Sequence, residues 1–589
     1  MPMMGVIGEM YRWRPLAAAS VVAVLLTTAL AFDARVTPCR SLPVTITSSE
    51  EKSALLAQLA SDFNAGRPMI AGSCLKISVV RRASGATQEA LAHGWDEQVD
   101  GPRPDAWSPA ASTWILLLNQ RLADDGHPAM ADQNSPSLAR SPLVIGMPKP
   151  MAVAMGWPDR PIGWAEFLQL ARDRTGWSSF GHPEWAYFQL GKTNPLNSTS
   201  GLHALIAAYF AASARSSGLT TADLVSAPVT DFVRSLESSV VHYGDSVSTF
   251  LLNLQAADDR GAALSYISAV AVEEKQILDY NRGNPTGDPA KDGKHLWPAV
   301  PLAAVYPKEG TLAADHPFAV LTAPWVTAEK RSGARAFLAY LQEPAQQRRF
   351  QDAGFRDLRG FPGSAIVRAK GVLPEQPSAY LQLPPARVIS QLQASWRGLR
   401  KSARFLLVID ASGWSSHNDF AQIQRSIEAG LEQLNAADTV GIWCLPAGSE
   451  QVLDHRILAQ LGQVQVIRPG LNKALATVQS SAKPGAPLRA TVDAVAAMAA
   501  GADPSRINAV VLVGGGHSAP EDLTLDRAQA ELSAQSNQTP GVRVFTVAYG
   551  EHPDLTTLGL LAMAGRGGFY DASTPSNIGR ALAAAISNF

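Results

Sequence analysis

Two short stretches carry side chains whose types and spacing suit the binding of an ion or a polar ligand. The first is "FLLVIDASGWSSHND", residues 405–419. The apolar run Phe405 to Ile409 leads into Asp410, which is followed by Ser412, Trp414 and Ser415. A buried strand that ends on an aspartate and hydroxyls can hold a divalent cation, because hard ions want several oxygens in near-octahedral order. Trp414 stands where a third oxygen-bearing residue belongs and offers none, and Ser415 falls one residue late. Asp410 therefore reads either as the remnant of a metal site or as a cap for the helix that follows.

The second stretch is "GKTNPLNSTSGLHALIAAYFAAS". Asn197, Ser198, Thr199, Ser200 and Gly201 precede a helix whose apolar residues fall at 202, 205, 206, 209 and 210. That spacing predicts one apolar face. The helix start presents free backbone N–H groups, hydroxyls and the positive end of the dipole, which together can hold an oxyanion without Arg or Lys. Simple N-capping accounts for one of these hydroxyls, not for the whole run, so ligand binding and capping both stand. Three further strand ends are rich in small polar residues: Ser48-Ser49, Ser84-Gly85 and Ser108.

Catalytic constellations are not visible. "GGGH" at 514–517 lacks the Lys-Ser/Thr ending of a phosphate loop. The 11 histidines show no zinc-binding pair, and no Gly-x-Ser-x-Gly elbow occurs. The sequence predicts a binding protein and not an enzyme. Lys and Arg number 50 against 51 Asp and Glu, so no global field draws the chain to nucleic acid.

The elements that must position these residues alternate. From Pro43 to about 370, short strands and helices follow one another, which predicts a parallel α/β sheet with ligands at strand C-ends. "PEQPSAYLQLPPARV" breaks the pattern and reads as a linker. A second alternation follows, with strands at 404–410, 439–445, 507–513, 542–549 and "GFYDA". The expected organisation is a leader over 1–38, a binding domain over 39–373, a linker and leading helix over 374–400, and a second α/β domain over 401–589.

Arg12 and Arg14 precede the uncharged run Leu16 to Phe32. This pattern is a signal peptide or a membrane anchor, and Ala29-Leu30-Ala31 offers a cleavage site. Either reading exports the bulk of the chain. In an oxidising compartment Cys39 and Cys74 are expected to pair, a link worth about 3–4 kcal/mol by chain-entropy arguments. Cys444, in "TVGIWCLP", reads as a packed free thiol.

The stretches "ITSSEEKSALLAQLASDFN", "ASGATQEALAHGW", "RPDAWSPAASTW", "GKTNPLNSTSGL" and "YPKEGT" resemble an extracellular solute-binding protein of the two-lobed kind, most similar to those that take tetrahedral oxyanions. The resemblance implies a periplasmic-binding-protein type II fold and a small polar or anionic solute. It implies ligand contacts from Ser48, Ser49, Ser84, Gly85 and Ser108 of the first lobe. From the second it implies Ser198, Thr199 and Ser200, with Tyr266 closing the site. Thr193 and Asn194 are additions to the family pattern.

The second half resembles a von Willebrand factor A domain through "FLLVIDASG", "NAVVLVGGG", "VRVFTVAYG" and "LAMAGRGGFYDASTPSNIGRAL". That resemblance implies a Rossmann-like fold and a protein partner. Of the family's metal set only Asp410 and Ser412 stand in place. The expected threonine aligns near Pro487, with Thr491 several residues on, and the expected aspartate is replaced by Gly514-Gly515-Gly516. No cofactor is expected, beyond a weak opening for magnesium at Asp410 and Ser412. The pairing of the two halves resembles actinobacterial surface proteins. It implies a solute-binding head coupled to a protein-docking domain, or alternatively an envelope assembly or adhesion scaffold in which both halves only dock.

Overall fold

A computed structural model describes residues 39–589, apart from 413–416, 433, 446–454, 479–483, 537, 539–540, 551 and 575–576. The expected leader at 1–38 lies outside these residues. Among the described residues no helix is long and apolar enough to cross a membrane.

The chain is α/β and builds three sheets. The first contains β1 (Ser41–Ser48), β2 (Met69–Ile70), β3 (Ser73–Arg81), β4 (Ala106–Ser108) and β11 (Ala319–Val320), in the order β11-β4-β1-β3-β2. β1 runs parallel to both β3 and β4, as the strand–helix alternation requires. Val44 and Ile46 of β1 are fully buried, and the intervening residues face the other side. The second sheet contains β5 (Ser141–Pro148), β6 (Leu190–Thr193), β7 (Val240–Gly244), β8 (Ala269–Glu273), β9 (Leu302–Val305) and β10 (Ala313–Ala314). Its order is β10-β5-β8-β6-β7, with β9 also pairing β5. The chain leaves the first sheet after β4 and returns at β11, so two adjacent crossings join the lobes. They are bonded together where the Leu138 N–H donates to the His316 carbonyl.

The third sheet is doubly wound: β14 (Arg456–Gln463), β13 (Thr439–Leu445), β12 (Ala403–Asp410), β15 (Ile507–Gly514), β16 (Arg543–Ala548) and β17 (Arg566–Asp571), in that spatial order. All neighbours are parallel except β14, an antiparallel edge strand that the sequence pattern did not reveal. The reversal of strand order places β12 at the switch point, with Asp410 at its C-end.

Cys39 and Cys74 form a disulfide with Cα atoms 5.7 Å apart. It ties the start of β1 to β3, whose register already pairs Ser41 with Cys74. Cys444 is free and buried, and burial pushes its thiol up to about 12, so it is an inert packing residue.

The apolar core does not divide at the Pro-rich segment. Buried side chains of the second lobe pack continuously with one face of the third sheet. Residues 374–385 are strapped to the second lobe: Leu381 donates its N–H to the Thr311 carbonyl, and Gln382 to that of Ser216. The helix Ala386–Leu399 then lies across both lobes. It touches the first-lobe helix Thr113–Asp124 and the second-lobe helix Thr199–Ser213. Its Trp396 is 1% exposed and packs edge-on against Tyr243, with centroids 5.1 Å apart. The C-terminus closes the remaining gap. The Asn588 carbonyl accepts the Tyr243 N–H at the free edge of β7, and Phe589 stacks on Phe405 at 4.6 Å. An edge strand left open to pairing is thereby capped from within the chain.

Candidate ligand cleft

Strand C-ends of both lobes converge on one small cavity of about 30 Å³, room for roughly one water molecule or one ion. β1 delivers Ser49, Glu50 and Glu51, and the turn after β3 delivers Ser84. From the second lobe come Asn197 to Ser200 after β6, Asp245 and Ser246 after β7, and Glu273 and Gln276 at the end of β8. The sequence therefore located five of the lining hydroxyls: Ser49, Ser84, Ser198, Thr199 and Ser200.

The lobes meet directly around this cavity. The Gly85 N–H donates to the Asn197 carbonyl at 2.9 Å. A Cβ at Gly85 would fall 2.0 Å from the Leu196 carbonyl oxygen, so only glycine permits the approach. The Trp114 indole N–H donates to Thr199 Oγ1 at 2.8 Å, and Thr113 Oγ1 lies 3.1 Å from His203 Nε2. Burial holds the His203 imidazole down at about 3, so it is neutral in this contact.

Other residues named from the sequence lie beside the cavity, not in it. Ser48 bonds the Ser49 carbonyl, and Ser108 bonds the Pro317 carbonyl on the returning crossing. Thr193 donates its hydroxyl to Ser198 Oγ, so it supports the helix start. Asn194 accepts the Leu196 N–H and donates to the Ser587 carbonyl, which turns it toward the C-terminal unit. Tyr266 does not close the cleft. It ends the short helix Ala263–Tyr266, is buried against Phe250, and lies under the Arg543 guanidinium at 5.8 Å. The helix Thr199–Ser213 is also not amphipathic. Every residue from Thr199 to Phe210 is buried, because the second-lobe sheet, the helix Ala227–Ser238 and the helix Ala386–Leu399 cover it together.

What the sequence reading missed is the charge. Glu50, Glu51, Asp245 and Glu273 line the cavity, and no Arg or Lys does. Glu50 pairs with Arg81 at 3.1 Å on the outer side. Burial pushes Glu51 up, but Lys52 and His316 outweigh it and hold the carboxyl well below the usual range. Burial raises Asp245 to about 7, helped by the Glu50 charge nearby. Burial also raises Glu273 against the pull of His316. Lys52 sits beneath the cavity, where its ammonium donates to Ser49 Oγ and to the carbonyls of Ser108 and Pro109. The helix start expected to hold an oxyanion lines the cavity among these carboxyl groups. A tetrahedral oxyanion placed here would face four carboxyl groups, so the arrangement favours a neutral or positively charged ligand.

The third sheet offers a second candidate. Asp410 Oδ1 accepts the Ser412 N–H at 3.0 Å and its hydroxyl at 2.6 Å, while Oδ2 is buried without a hydrogen bond. Gly485 and Gly514 press on this carboxyl, and burial raises it to about 7. Thr491 spends its hydroxyl on the Pro487 carbonyl inside the helix Pro487–Ala499. Trp414 and Ser415 lie outside the described residues. Among the described residues Asp410 thus has a single oxygen-bearing neighbour from the expected set.

The family model for bacterial extracellular solute-binding proteins matches residues 44–356. A protein of Mycobacterium tuberculosis (strain H37Rv), named as uncharacterized, is 22% identical over 527 residues, covering 88% of this chain and 72% of that protein. Among solved structures, a periplasmic thiamin binding protein has a TM-score of 0.40 at 12% identity, covering 61% of this chain and 96% of its own. The periplasmic binding protein AfuA from Actinobacillus pleuropneumoniae, with fructose-6-phosphate bound, scores 0.39 at 14% identity over 61% and 99%. A von Willebrand factor type A structure from Catenulispora acidiphila scores 0.26 at 16% identity over 32% and 42%.

Proposed function

The chain belongs to the bacterial extracellular solute-binding protein family, and from that premise we propose that it is an exported, non-catalytic binding protein whose cleft takes a small polar solute that is uncharged or cationic. One observation carries the choice of charge: four carboxyl groups and no basic side chain line the cavity between the lobes. Hydroxyls from Ser49, Ser84 and Ser198 to Ser200 supply the remaining polar contacts. The oxyanion expected from the family resemblance is set aside on these grounds.

The third sheet then acts as a von Willebrand factor A-like docking unit for a protein partner. Its doubly wound strand order and the motifs around Asp410 support that reading. With Asp410 and Ser412 as the expected oxygens among the described residues, the unit is proposed to work without an adhesion metal. A pure scaffold is the second reading, favoured by the small cavity and by the helix Ala386–Leu399 spanning both lobes.

Thermal melting of the full chain separates them. Molybdate, sulfate and phosphate are expected to leave the transition unmoved, while a cationic or neutral ligand raises it. A ligand held at 100 times its Kd adds about 2.7 kcal/mol to the folded state. A rise with an oxyanion alone overturns the charge argument. No rise with any ligand supports the scaffold.

A further inference from the structure

Glu51 and Glu273 of the cavity wall and His316 behind it are each buried and each offer one ligand atom, with those atoms within 4.8 Å of one another. They come from three places. Glu51 opens the helix after β1, Glu273 ends β8 in the other lobe, and His316 sits on the returning crossing between the lobes. His316 is held there by its own backbone, which donates to the Ala110 carbonyl and accepts from Leu138.

The side chains are not satisfied as they stand. His316 Nδ1 lies 3.4 Å from Glu51, and Nε2 lies 3.2 Å from Glu273. Neither contact has hydrogen-bond geometry: both ring nitrogens and Glu273 Oε2 are buried without a hydrogen-bond partner. His316 is 0% exposed and Glu273 3%. Leaving such groups unpaired destabilises the folded state, because they have given up water without gaining a partner. Nearby Lys52 offsets one carboxylate and directs its remaining protons at carbonyl oxygens. The two carboxylates favour a positive charge beside the ring. A metal ion that accepts a lone pair from one ring nitrogen supplies it and takes an oxygen from each carboxylate.

We propose that Glu51, Glu273 and His316 bind a first-row divalent transition-metal ion, and that this ion is the solute of the cleft. The inference rests on the reading of the cleft as a ligand site. One imidazole and two carboxylates suit zinc or manganese. Side-chain movements of about 1 Å bring the ligand atoms to the 2.0–2.2 Å range such ions require. The adjoining cavity, about 30 Å³, has room for the water that completes the coordination. Because the ligands come from both lobes and the crossing, the ion closes the cleft as it binds.

The test uses the full chain, stripped with EDTA and offered zinc or manganese chloride. One ion per chain after desalting, with an X-ray absorption shell of one imidazole and otherwise oxygen, is the expected result. Glu273→Gln and His316→Gln each lower affinity by at least about 100-fold, while Asp410→Asn leaves uptake unchanged. The absorption shell of the unmutated protein decides the matter even if a variant fails to fold. Uptake that persists in both variants, or a shell with more than one imidazole, overturns the proposal. If neither metal binds while putrescine raises the melting temperature, the ion is overturned and the cleft reading stands. If neither metal, amine nor neutral sugar acts, both fall.

Discussion

Asp245→Asn isolates the energetic cost of the acidic cavity. Asp245 is partly buried between the turn after β7 and the third sheet, where the Tyr570 hydroxyl donates to it at 3.2 Å. Burial raises its carboxyl from 3.8 to about 7. A folded-state value above the unfolded one means that the folded chain keeps a proton the unfolded chain has released. Stability from this group is therefore fully present below pH 3.8, falls as pH rises through the window up to about 7, and is flat above it. The span of the shift corresponds to a ceiling of about 4 kcal/mol. His203 acts with the opposite sign. Its imidazole is held down at about 3 against 6.5 in the unfolded chain, so its penalty grows as pH falls below 6.5. The two slopes largely cancel in the wild type, and only a difference curve exposes either. Urea unfolding of wild type and Asp245→Asn at pH 4, 5, 6, 7 and 8 is the assay. The variant's advantage is expected to be least at pH 4 and to grow toward about 4 kcal/mol at pH 8. Parallel curves across that range would refute the assignment of a buried, protonated carboxyl to Asp245.

Four further outcomes follow from the packing. Gly85→Ala puts a Cβ 2.0 Å from the Leu196 carbonyl. It is expected to part the lobes and cost about 1–3 kcal/mol; an unchanged radius of gyration by small-angle scattering, with unchanged melting, counts against the closed contact. Cys39→Ser opens the link between the start of β1 and β3 and should cost about 3–4 kcal/mol, read as a lower urea midpoint that reductant no longer alters. Trp396→Ala removes a side chain that is 1% exposed and should cost about 3–5 kcal/mol. Calorimetry is expected to show one unfolding transition for the second lobe and the third sheet together in the wild type; two well-separated transitions would contradict their shared core.

The alternation of strands and helices was legible because its periodicity is local, and β12, β13, β15 and β16 appear within one residue of their expected positions. β14 was not, since "RILAQLGQ" is half exposed on both sides and has no clean alternation. The hydroxyls of the cleft were legible for the same local reason: Ser49, Ser84 and Ser198 to Ser200 each follow a strand. Glu50 and Glu51 stand in the same stretch as Ser49, but acids in a first helical turn favour helix starts anywhere and do not by themselves mark a site. Asp245, Glu273 and His316 meet Glu51 only through the two crossings between lobes, and no local spacing encodes that meeting. Tyr266 was assigned by analogy with a family position. Its environment is set by Arg543, far along the chain. The Pro-rich segment looked like a spacer because prolines break helices, yet the helix it launches is apolar enough at Val388, Ile389, Leu392 and Trp396 to bind both lobes.

That helix and the final residues together change what opening the cleft would entail. Asp245 on the cavity wall is bonded to Tyr570, Tyr570 to Asn588, and the Asn588 carbonyl to the edge of β7. A lobe swinging outward would have to drag this chain of bonds and shear the apolar seam beside it. The cavity wall that the second lobe supplies is thus fastened to the C-terminal unit, and displacing one loads the bonds of the other.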